Sequence, residues 1–103
     1  MSTSLRFGLK PEVIEKVCQV LSEYPEIQRT LVYGSRAKGN FRQGSDIDLV
    51  LDAPALTTTK LLKIENQIDD LMLPYKFDIS LLHQIENPSL LEHIQRVGQE
   101  FAC

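Results

Sequence analysis

The segment Leu31-Val-Tyr-Gly-Ser-Arg-Ala-Lys-Gly-Asn-Phe-Arg-Gln-Gly-Ser-Asp-Ile-Asp-Leu-Val-Leu-Asp52 places a glycine-rich turn ahead of a strand pattern that carries aspartates at alternate positions. Thr30 to Tyr33 is short, β-branched and aromatic and stops at Gly34, which predicts a first strand. Asp46 to Asp52 alternates, with Ile47, Leu49 and Leu51 on one face and Asp46, Asp48, Val50 and Asp52 on the other, which predicts a second. Aspartate is depleted in strands and costly to bury, so the pair asks for a chemical reason.

Working outward, Pro11 to Ser22 sets Val13, Ile14, Val17, Val20 and Leu21 on one helical face, with Pro11 suited to the first turn. Ser35 to Lys38 predicts a short helix stopped by Gly39, with Asn40 to Gly44 as loop. Thr58 to Met72 carries Leu61, Leu62, Ile64, Ile68 and Leu71 at helical spacing, and Pro74 ends it. Lys76 to Leu82 alternates again, setting Phe77, Ile79 and Leu81 opposite Asp78 and Ser80. Asn87-Pro88 then reads as cap and first position of a helix bearing Leu90, Leu91, Ile94 and Val97. The order predicts an α/β (α+β) fold, a small mixed sheet flanked by helices.

This topology gathers the acids. Gly34 ends its strand and Asp46 begins the next, so the two meet only if those strands are antiparallel. A right-handed crossover through the Thr58–Met72 helix makes the third strand parallel to the second and sets Asp78 beside Asp48. Asp46 and Asp48 point the same way about 7 Å apart along the chain. Three carboxylates in a partly buried site repel one another unless cations are supplied, and hard oxygen donors without histidine or cysteine favour Mg²⁺ or Mn²⁺ over Zn²⁺. Gly34 permits a tight turn and close approach, Ser35 offers a hydroxyl and amides that favour phosphate, and Arg36 and Lys38 add positive charge. The spacing is neither that of a Walker loop nor of a dinucleotide fingerprint.

The global numbers narrow the class. The 103 residues predict one domain, 1–103, with 43% hydrophobic and 24% charged residues, ordinary for a globular protein. A net charge of −3 argues against a general nucleic-acid-binding surface. Apolar runs too short for a bilayer, and a start without a secretory pattern, predict a cytoplasmic protein away from membranes. Cys18 and Cys103, far apart, predict free thiols. His83 and His93 read as a strand-end and an exposed helix residue and receive no role.

Gly34-Ser35-Arg36-Ala37-Lys38-Gly39, followed by Ser45-Asp46-Ile47-Asp48-Leu49 and by Asp78, resembles the nucleotidyltransferase signature of the DNA polymerase β superfamily. The short chain is similar to the minimal nucleotidyltransferases that accompany HEPN-domain proteins. The resemblance implies that Asp46, Asp48 and Asp78 bind Mg²⁺ (or Mn²⁺) and catalyse, with Asp78 helping to deprotonate the attacking hydroxyl. It implies that Gly34, Ser35, Arg36 and Ser45 hold the nucleotide, ATP. The implied reaction is transfer of AMP to a tyrosine of a HEPN-domain toxin, which makes the chain an antitoxin and leaves room for a homo- or hetero-oligomer. Two alternatives remain open at this point: a binding subunit that neutralises its partner by contact, and a small-molecule transferase of the aminoglycoside-modifying type.

Overall fold

The computed structural model describes residues 9–39 and 46–101, with the backbone alone at Ser35 and Arg36. Its elements follow one another as α1 (Pro11–Leu21), β1 (Arg29–Tyr33), α2 (Ser35–Lys38), β2 (Ile47–Asp52), α3 (Thr58–Asp69), β3 (Phe77–Leu81), a 3-10 turn at Leu82–Gln84, α4 (Pro88–Val97) and β4 (Gln99–Glu100). The sheet runs β3-β2-β1-β4, with β1 antiparallel to β2 and to β4, and β2 parallel to β3. The predicted mixed sheet, its antiparallel first pair and its crossover are therefore present.

Period-two alternation sorts the sheet into two faces, each with its own cover. Val32, Ile47, Leu49, Leu51, Ile79 and Leu81 form the main core with Ile14, Val17, Val20 and Leu21 of α1 and Leu61, Ile64 and Ile68 of α3. On the opposite face Tyr33 and Val50 pack against Ile94 of α4, with Leu31, Leu82, Leu90 and Val97 half-buried around them. β2 is thus covered on both sides, which is why Val50, on the aspartate face of the strand, is fully buried.

The helix ends show their local causes. Pro11 opens α1 with Glu12 beside it in the first turn, where a carboxylate suits the helix dipole. Thr57 caps α3, its hydroxyl accepting from the Lys60 amide at 3.2 Å. Asn87 caps α4 as the sequence predicts, accepting from the amides of Ser89 and Leu90 at 2.9 and 3.4 Å. α3 ends at Asp69, short of the predicted Met72, because the chain turns there and Met72 adopts φ 55°. Leu62 of the predicted apolar stripe is exposed.

β4 escapes the sequence reading. By pairing with Leu31 and Val32 it carries the chain to Phe101, whose amide donates to the Thr30 carbonyl at 2.8 Å. Phe101 is buried in the same cluster that Cys18 packs against. Cys18 is disulfide-bonded, which corrects the expected free thiol; Cys103 lies outside the described residues. Among the described residues no helix is long and apolar enough to cross a membrane.

Candidate active site

The acids meet at one end of the sheet. β1 pairs Tyr33 with Asp48, and β2 pairs Asp48 with Asp78, so the three residues form one row on a single face. The sheet is bound close here by the Ile47 amide, which donates to the Lys76 carbonyl at 2.8 Å. Asp46, just ahead of β2, is exposed. Burial raises the Asp48 carboxyl above its ordinary value; the charges of Asp78 and then Asp46 raise it further, and His93 opposes them. The Tyr33 phenol is also raised, first by burial and then by Asp48 and Asp78, while a hydrogen bond with the Ser80 side chain pulls the other way.

Gly34 follows Tyr33 directly, at the end of the row. Its φ of 75° lies in the left-handed region, and a Cβ built there would overlap Oδ2 of Asp48. The close approach that demands glycine is thus made by a carboxylate of the protein itself. The Gly34 carbonyl accepts from the Lys38 amide at 3.1 Å and starts α2. Its amide donates to Nε2 of His93 at 3.2 Å, so this N–H is already engaged within the protein. The His93 ring stands edge-on to Tyr33, with centroids 6.2 Å apart and planes at 80°. α2 is also tied to β4, where Gln99 Nε2 donates to the Ala37 carbonyl at 2.9 Å.

Sequence reasoning missed two of these groups. His93 is half-buried rather than exposed. The signal was its position, since residues 90, 93, 94 and 97 share one helical face. Gln99 carried none, because its partner is a backbone carbonyl reached only through tertiary folding. Of the remaining candidates, Lys38 is exposed, Asp52 pairs with Arg29 at 3.4 Å, and His83 is exposed in the 3-10 turn. Ser45 lies outside the described residues, as do the side chains of Ser35 and Arg36.

Among the described residues no three histidine, cysteine, aspartate or glutamate side chains form a ready metal cage. The donor set still fits a Mg²⁺-type ion, because such ions are held by one or two carboxylates, with phosphate oxygens and water completing the shell. Asp48 and Asp78, adjacent in register and mutually repelling, are the pair suited to this.

A mixed sheet that sets paired aspartates beside a glycine turn defines a nucleotide-handling transferase fold. The chain belongs to the polymerase beta nucleotidyltransferase family, whose model matches residues 15–103. Two candidate protein adenylyltransferases of Methanocaldococcus jannaschii are each 29% identical over 85 residues, covering 82% of this chain and 86% of theirs. The fold is also similar to a toxin-antitoxin structure with AMP-PNP, at TM-score 0.70 and 19% identity over 86% of this chain and 72% of that one. It is similar, too, to a complex of an MNT antitoxin with a tri-AMPylated HEPN toxin of Shewanella oneidensis, at TM-score 0.65 and 16% identity over 88% of this chain and 70% of that one.

Proposed function

We propose that this nucleotidyltransferase is a protein adenylyltransferase that moves AMP from ATP onto a tyrosine of a HEPN-domain partner in the cytoplasm, and so acts as an antitoxin. The observation that carries the reading is the register of Asp48 with Asp78 next to Gly34. The adenylyltransferase relatives and the AMPylated toxin bound to a similar fold support the acceptor class.

In this mechanism Asp48 and Asp78 would hold the divalent cation, Mg²⁺ or Mn²⁺, and Asp46 beside them would add its negative charge to the site. When bound, that ion neutralises the triphosphate and stabilises charge on the leaving oxygens. The turn from Gly34 into Ser35 receives the phosphates, with Arg36 and Ser45 completing the nucleotide set. Asp78, exposed at the end of the carboxylate row, accepts the proton of the attacking tyrosine hydroxyl. That oxygen bonds to the α-phosphorus as the bond to pyrophosphate breaks, and the products are AMP-tyrosine and pyrophosphate. A purely non-catalytic binding role is disfavoured by Asp48, whose ionisation is opposed by burial and by two acidic neighbours.

The position of a radiolabel tests the reaction. With Mg²⁺ and the partner, ATP labelled at the α-phosphorus should label the partner and ATP labelled at the γ-phosphorus should not, and Asp48→Asn should abolish labelling. Labelling from the γ-phosphorus, or labelling that survives Asp48→Asn, would refute the assignment.

A further inference from the structure

The hydrogen bond between α4 and the glycine turn joins two elements that are far apart in the chain. Gly34 is fixed from both ends: its carbonyl accepts from the Lys38 amide at 3.1 Å and its amide donates to His93 Nε2 at 3.2 Å. Between these bonds the residue sits at φ 75° with Asp48 Oδ2 against the face where any other residue would carry Cβ. The rest of α4 meets the sheet through apolar groups, Ile94 against Tyr33 and Val50. His93 is thus a polar tie within an otherwise greasy contact, and its ring is steadied edge-on by Tyr33. A half-buried amide left without an acceptor is costly, and the turn would rotate to find another.

We propose that His93 is a positioning residue for the nucleotide site: by accepting the Gly34 amide it fixes the turn so that the amides after Gly34, rather than that of Gly34 itself, face the phosphates. The proposal rests on the nucleotidyltransferase reading above. The imidazole acts here as an acceptor at Nε2, with its hydrogen on Nδ1. It works through the backbone it holds.

Two variants separate the acceptor from the shape. His93→Phe keeps a ring against Tyr33 and removes the acceptor, whereas His93→Gln returns an acceptor at similar reach. Titration calorimetry with Mg²⁺ and a non-hydrolysable ATP analogue should show affinity about tenfold lower in His93→Phe and within about threefold of wild type in His93→Gln. Amide hydrogen exchange without nucleotide should show Gly34 less protected in His93→Phe and protected again in His93→Gln. Equal affinity of wild type and His93→Phe, or His93→Gln as weak as His93→Phe, would overturn the proposal. Failure of the wild type to bind the analogue would refute the nucleotide reading itself. The exchange measurement then still decides the role of His93, since unchanged Gly34 protection in His93→Phe would overturn the tie to the turn.

Discussion

At the residue scale the site is governed by what Gly34 and Asp48 do to each other. Gly34→Ala adds a Cβ in the left-handed region and drives it into the Asp48 carboxylate. We expect a loss of about 1–2 kcal/mol from backbone conformation alone, plus the displacement of Asp48, read as a lower midpoint in chemical denaturation. An unchanged midpoint would contradict both the backbone cost and the clash with Asp48. Asp48 itself opposes folding when ionised. Its proton is held more tightly in the folded chain than in the unfolded one, so the protein should lose stability as pH rises from the ordinary aspartate value of 3.8 through the raised folded value. Without added metal, Asp48→Asn should therefore melt higher than wild type at pH 7, with the gap closing toward and below pH 3.8. A variant that melts lower at pH 7 would contradict this account of Asp48.

At the element scale, legibility follows how local each cause is. β1, β2 and β3 could be read because apolar residues at period two leave Asp48 and Asp78 on the other face, and a crossover helix fixes the parallel pairing. α4 could be placed from Asn87-Pro88, whose capping is local. Asn87→Ala should cost about 1 kcal/mol in denaturant unfolding, and no change would mean that α4 is held by its packing alone. β4 could not be read: Gln99-Glu100 has no apolar alternation and is a strand only because Leu31 and Val32 offer it a free edge. The bond from His93 to Gly34 was hidden for a related reason, since helical periodicity gives the face but not the backbone donor that faces it.

At the scale of the whole molecule, one sheet separates structure from chemistry. The α1/α3 face supplies the core; Leu49, fully buried there, should cost about 2–5 kcal/mol on truncation to alanine, with the paired aspartates of the other face kept in register if the fold survives. The α4 face carries the carboxylate row and the glycine turn. The function proposed for this row is transfer of AMP to a HEPN-domain partner. Its most direct test is intact mass spectrometry of that partner after co-expression with wild type or with Asp78→Asn. Wild type should raise the partner mass by one or more AMP groups, and the variant should leave the partner unmodified. A partner that stays unmodified with wild type yet is bound and inhibited would contradict it.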